Sequence, residues 1–189
     1  MGVFIISPAD KGGQLYTPPE TLKNLTQPLT PLELNYRFLL RDPRITTLSL
    51  GAANPQELDE PLTVRDKIYP LTAEEIEILN KRENQAHSIL NCEKCSQCYQ
   101  CLPCPENINI PEFLRLRNLA KAYNMTEFGK YRDRMLENAG HWFPGNKGNR
   151  CTNCGDCLPR CPENIDIPSL LKDTHSSLNG VKRRRLWED

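Results

Sequence analysis

Apolar residues are distributed in two ways along this chain of 189 residues. In the first third they form short, solid runs. Val3-Phe4-Ile5-Ile6 is wholly apolar and β-rich, and Ser7-Pro8 ends it, which predicts a strand buried on both faces. A polar loop with Gly12 and Gly13 follows, then Pro18 and Pro19. Thr30-Pro31-Leu32-Glu33 reads as a capping box with proline at the first helical position. It opens a helix to about Leu40, with Leu32, Leu34 and Phe38 to Leu40 apolar. Ile45 to Leu50 predicts a second strand, stopped by Gly51, and Asn54-Pro55-Gln56-Glu57 starts another short helix. Strand, helix, strand and helix make a βαβα unit, which belongs in a parallel sheet. Two strands that are apolar on both sides cannot satisfy each other, so the unit calls for flanking elements outside it.

Beyond residue 70 the pattern turns helical. Residues 61–70 read as a polar connector. Thr72-Ala73-Glu74-Glu75 is a second capping box, opening a helix through about Ser88 with Ile76, Leu79 and His87 on or near one face. Pro111 opens a helix carrying Phe113, Leu114, Leu116, Leu119 and Ala120, and Asn124 interrupts it. A further helix runs from about Thr126 to Ala139, presenting Phe128, Tyr131, Met135 and Leu136, with Gly140 as its cap. His141 to Gly145 is an aromatic turn that shields a site or fills a small core. Pro168 opens the last helix, with Leu170 and Leu171.

Charge narrows the function. Twenty-four basic residues balance 24 acidic ones, so no general affinity for nucleic acid or for a membrane surface follows. No apolar run approaches transmembrane length, and the start lacks a basic-then-apolar signal peptide. Clustered thiols without an export signal lead us to expect a cytoplasmic protein. Lys182 to Arg185 is a basic tail: a solvated end on the plain reading, a docking patch for an acidic redox partner on the sharper one.

All nine cysteines lie in two runs. Cys151, Cys154, Cys157 and Cys161, with Pro162, spell C-x2-C-x2-C-x3-C-P, the spacing that holds a [4Fe–4S] cluster and lends its fourth thiolate to a neighbour. The first run has five: Cys92, Cys95, Cys98, Cys101 and Cys104. An internal repeat identifies the four that count. Cys104 to Pro111 matches Cys161 to Pro168 at seven of eight positions, 57 residues later, whereas Cys95, Cys98 and Cys101 match Cys151, Cys154 and Cys157 at an offset of 56. The first run is thus the second with one residue deleted before its last cysteine, and Cys92 is spare. Exchange of fourth ligands assigns Cys95, Cys98, Cys101 and Cys161 to one cluster, and Cys151, Cys154, Cys157 and Cys104 to the other. Zinc is the rival, but needs neither three successive C-x2-C steps nor a terminal Cys-Pro. Disulfides fit tight spacing and an odd count poorly. His87 lies five residues before Cys92; an exposed helix histidine is the plainer reading than a ligand. The 46 residues between Cys104 and Cys151 are too many for a compact β-rich ferredoxin and read as helices.

Val3 to Tyr16 (VFIISPADKGGQLY) and Ile45 to Leu62 (ITTLSLGAANPQELDEPL) resemble the last two strand–loop units of an aldo/keto reductase (β/α)8 barrel. The cysteine part, with LRNLAKAYNMTEFGKYRDRMLENAGHWFPG between its runs, is similar to the iron–sulfur tail of a bacterial aldo/keto reductase subfamily. That resemblance implies NADP contacts at Ser7, Lys11 and Gly12 after one strand, and at Gly51 to Glu57, Asn54 included, after the next. For Lys11 and Asn54 the plain alternatives are a solvated loop lysine and a helix N-cap. The family's catalytic Asp, Tyr, Lys and His lie on early strands that this sequence does not contain, so no catalytic residue is assigned here.

The expected architecture is α+β: an incomplete βαβα remnant of a (β/α)8 barrel at residues 1–70, a connecting helix at 71–91, an α-helical dicluster ferredoxin-like domain at 92–175, and a basic tail at 176–189. The expected function is electron transfer through two [4Fe–4S] clusters, as the C-terminal part of an NADP-linked oxidoreductase whose redox partner is the missing barrel part or another protein. A free-standing ferredoxin-like carrier or subunit and a structural zinc module are the alternatives.

Overall fold

Turn chemistry sets where most helices begin. The computed structural model describes residues 2–9, 15–52, 54–65, 70–137 and 144–179, which divide into two compact units, 1–84 and 85–189. They are mostly helical, with one small parallel sheet.

In the first unit, β1 (Val3–Ile5) pairs in parallel with β2 (Ile45–Leu48), aligning Val3 with Ile45 and Ile5 with Leu48. Between them run α1 (Glu20–Thr26) and α2 (Pro31–Leu40). The Thr30 hydroxyl accepts from the Glu33 backbone N–H at 3.0 Å, so the expected cap is present. After β2, Asn54 caps a short 3-10 turn at Pro55–Leu58 that leads into α3 (Asp59–Thr63). Leu32 and Tyr36 of α2 form the core with Ala9 and Val64, and Leu48 and Leu50 pack on it. Each fully buried side chain of that size contributes about 1.5–3 kcal/mol.

Three expectations need correction here. β1 is a strand, but not one buried on both faces: Phe4 is 61 % exposed and Ile6 71 %. One sheet face carries α2, and among the described residues Phe4 and Ile6 stay exposed. The stretch from Pro18 is not all loop, because Pro19 stands just outside α1 and Leu22 and Leu25 bury one of its faces. The connector at 61–70 also begins later, since residues 61–63 close α3.

α4 (Ala73–Leu90) starts with the predicted reciprocal box: Glu75 N–H to the Thr72 hydroxyl at 3.1 Å, and Thr72 N–H to the Glu75 carboxylate at 2.7 Å. Its buried positions are Glu75, Ile78, Ala86 and Leu90, whereas Ile76 and His87 are exposed. The expected face is therefore rotated. The cause is a buried ion pair that hydrophobic periodicity cannot show: Arg37 donates from Nε and Nη2 to Glu75 at 2.6 and 2.9 Å. No described helix is long and apolar enough to cross a membrane.

The second unit holds α5 (Ile110–Tyr123), α6 (Thr126–Asp133) and α7 (Ile167–Leu178), which pack against one another. α5 and α7 begin alike, because the repeat carries their caps: Asn109 accepts from Glu112 N–H at 3.4 Å, and Asp166 from Ser169 N–H at 3.3 Å. Pro111 and Pro168 follow within the first turn, as expected. Asn124 does interrupt the chain, in a left-handed conformation at φ 58°. α6 is shorter than the predicted Thr126–Ala139, giving way to turns at 134–137; Gly140 and residues 141–143 of the aromatic turn lie outside the described residues, as does the basic tail.

Candidate metal centre

The core of the second unit is built on the repeat. Ile108, Ile110, Phe113 and Leu114 from one copy meet Ile165, Ile167, Leu170 and Leu171 from the other, and Cys101 and Cys157 are buried among them. Cys95, Cys104, Cys151 and Cys161 pack against this cluster from its edge. The helices thus present an apolar floor, and the cysteine runs fold over it.

Two small cavities open between runs and floor. One is lined by Cys104, Cys151, Cys154 and Cys157, with Ile110, Pro168 and Leu171 below. The other is lined by Cys95, Cys98, Cys101 and Cys161, with Pro111, Leu114 and Ile167 below. Each cavity therefore draws three cysteines from one run and the last cysteine from the other. Cys92 is exposed and lines neither. His87 is exposed on α4 and meets the Lys94 ammonium at 3.0 Å instead.

Backbone conformation is matched between the copies. Gln97, Tyr99 and Asn107 adopt φ of 58°, 63° and 52°; their counterparts Asn153, Gly155 and Asn164 adopt 60°, 82° and 52°. Left-handed residues alternating with ordinary ones turn successive N–H groups inward and make concavities that suit an anion. A cluster bound by four thiolates is such an anion. A bulky residue such as Tyr99 is disfavoured at positive φ, so its retention there shows how firmly the run is held.

Side chains outside the cavities fix the runs. Asn118 of α5 donates to the Cys95 carbonyl at 2.9 Å, and buried Arg117 pairs with Glu93, between Cys92 and Cys95, and with Asp173 of α7 at 3.5 Å. Ahead of the second run, Gly148 sits so close to α7 that a Cβ would lie 2.6 Å from the Leu171 carbonyl oxygen and from Phe113. Arg160 donates to the Asp156 carbonyl at 2.8 Å and the Pro103 carbonyl at 3.0 Å, and so ties the runs together next to Cys104. None of these supports was anticipated from the sequence. For Arg160 a signal existed, since it stands in the segment where the first run is one residue shorter.

Burial pushes the Cys101 thiol up to about 11, with Cys95, Cys98 and Cys157 adding to the rise. Cys95 and Cys157 are raised too, first by burial and then by neighbouring thiols, Cys161 across the runs for Cys95 and Cys104 for Cys157. Cys95, Cys101 and Cys157 thus resist ionising where they face their neighbouring cysteines unless a cation is there to neutralise them. The donor set therefore fits bound iron, whose arrival displaces the protons.

The residues expected at a nucleotide rim are less gathered. Ser7 is exposed in a left-handed conformation at φ 54°, and Gly51 is exposed with open space around it. Asn54 acts as the N-cap: its Oδ1 accepts from Glu57 N–H at 3.3 Å and its Nδ2 donates to the Glu57 carboxylate at 3.0 Å. Lys11 and Gly12 lie outside the described residues.

Comparison with known proteins adds one match. Residues 91–165 fit the family model of the 4Fe-4S dicluster domain, which takes in both cysteine runs and the helices between them. No curated protein and no solved structure matches the chain. The zinc alternative gives way to that match. Residues 91–165 form a 4Fe-4S dicluster domain, an iron–sulfur electron-transfer module that carries two [4Fe–4S] clusters.

Proposed function

We propose that Cys95, Cys98, Cys101 and Cys161 hold one cluster, that Cys151, Cys154, Cys157 and Cys104 hold the other, and that the chain passes single electrons between them. The observation that carries this reading is the crossed lining of the two cavities. When bound, a [4Fe–4S] cluster takes up and releases one electron at a time. The protein's own residues do the rest. Ile110, Leu114, Ile167 and Leu171 keep water from the inner side of each cavity. Asn118 and Arg160 hold the backbone beside the ligands, which keeps the surroundings nearly unchanged on reduction. Cys101 and Cys157, both buried in one apolar cluster, bring the two sites together across a dry interior.

Purified without oxygen, the protein should carry about eight iron and eight labile sulfide, as two four-iron clusters require. Cys104→Ser should lose the cluster of the second run and leave about four iron, because the fourth ligand crosses over. Cys92→Ser should lose none. An analysis showing zinc and no labile sulfide would end this reading, and loss of iron from Cys92→Ser but not Cys95→Ser would overturn the register of the first run.

The finer reading is that this module is the C-terminal part of an aldo/keto reductase-like oxidoreductase, with residues 1–70 the end of its barrel. It rests on the resemblance of Val3 to Tyr16 and Ile45 to Leu62, and the parallel β1–β2 pair with Phe4 and Ile6 uncovered favours it. A barrel-encoding segment in frame ahead of Met1 is the expected finding. A stop codon directly upstream would favour the free-standing carrier.

A further inference from the structure

The two cavities are copies of one another, and their differences are few. Across the repeat, Cys95, Cys98 and Cys101 correspond to Cys151, Cys154 and Cys157, Ser96 to Thr152, Glu163 to Glu106, Pro111 to Pro168, Leu114 to Leu171, and Ile167 to Ile110. The acidic residue is present in both, so it cancels in a comparison. Pro105 lines only the cavity of the second run and Ile165 only the other, both uncharged; two further positions differ in charge or in size. Arg160 lines the cavity of Cys104, Cys151, Cys154 and Cys157, and the first run, one residue shorter, supplies no cation to the other. Where the other cavity is lined by Tyr99, this one is lined by Gly155.

We propose that Arg160 and the Tyr99/Gly155 difference set the two clusters at different reduction potentials, with the cluster of the second run the higher. The inference rests on the ligand assignment above. A one-electron donor makes the accepting cluster one unit more negative. Arg160, half-buried and fixed by two carbonyls, favours that more negative state at its own cavity. Gly155 contributes no side chain of its own to the same cavity, and access of water on that side favours the more charged state as well. Both differences push in one direction. Asp156, where the first run has Gln100, opposes them, but it is exposed and lines neither cavity, so solvent screens it. Electrons entering at the cluster of Cys95, Cys98, Cys101 and Cys161 therefore run downhill to the other. Arg160 is a tuning residue, and it gives the carrier a direction.

The test is a redox titration of the anaerobic holoprotein, followed by electron paramagnetic resonance and paired with iron and sulfide analysis. The wild type should show two separated one-electron steps. Arg160→Gln should move the higher step downward and leave the lower one in place, while Arg160→Lys should keep the higher step near its wild-type position. Tyr99→Gly should raise the lower step and narrow the separation; it tests the proposal independently should Arg160→Gln fail to retain iron. A single two-electron step in wild type overturns the proposal, as does an Arg160→Gln variant that shifts neither step or shifts the lower one. Fewer than about eight iron in wild type would instead count against the cluster reading on which it stands.

Discussion

The two units of this chain solve the problem of a small core differently. In the second, a sequence repeat folds back on itself, so Ile108 to Leu114 and Ile165 to Leu171 bury one another and the cysteines close over them. Among the described residues of that repeat, the large apolar side chains left exposed are Tyr99 and Leu158. The first unit has four buried residues at its centre, with one sheet face uncovered and Val3, Phe4 and Ile6 in solvent. It also contains a buried ion pair, between Arg37 and Glu75. The second unit buries its repeat against itself; the first leaves Phe4 and Ile6 exposed.

The largest expected effect breaks that comparison outright. The second unit's runs are loops with several left-handed residues and few backbone bonds of their own, so metal binding there is folding free energy. In the holoprotein, limited proteolysis read by mass spectrometry should cut within residues 1–70 before 92–175. Removing iron by oxidation and chelation should reverse the order and abolish the protection of α5 and α7. Unchanged protection after iron loss would show that the helices fold on packing alone.

Next in size is the ion pair of the first unit. Glu75→Gln leaves the Arg37 guanidinium buried at 4 % side-chain exposure without a counter-charge, and loss of one partner of such a pair costs about 3–5 kcal/mol. That is enough to unfold a unit with so small a core while leaving the iron signal of the other intact. The pH dependence has a definite sign. The hydrogen bonds from Arg37, opposed by burial, hold the Glu75 carboxyl below its ordinary value. Its contribution is therefore fully present above the ordinary carboxylate range and is lost as pH falls through the lowered value. Thermal melts of unit 1 should drop on acidification in wild type and much less in Glu75→Gln.

These contrasts also explain what could be read from the residues alone. Thr30, Asn54, Thr72, Pro111, Asn124 and Pro168 act within a few residues of themselves, so the starts and stops they mark appear where expected. The register of the first cysteine run followed from aligning two copies of one repeat, since like segments adopt like conformations. What failed depends on distant partners. The α4 face was misread because Glu75 is drawn inward by Arg37, 38 positions away. β1 was read as buried because its composition is that of a central strand, while burial is decided by neighbours. α1 was hidden by Pro18 and Pro19, which mark its boundary rather than its absence.

The smallest expected effect sharpens the comparison at β1. Phe4 aligns with Thr47 on the uncovered side of the sheet, so its ring rests largely in water. Replacing it by threonine, which keeps β propensity, removes little buried surface from this chain. Substitutions at such exposed sites shift stability by about ±0.5 kcal/mol or less. The change should instead show in association, because exposed apolar side chains on a sheet face form a patch that favours contact with another copy. Sedimentation of the holoprotein should give less self-association for Phe4→Thr at equal iron content, with the melting temperature of the first unit unmoved. A loss of 2 kcal/mol or more, far above the effect of an exposed site, would place Phe4 in a buried contact and contradict the open sheet face.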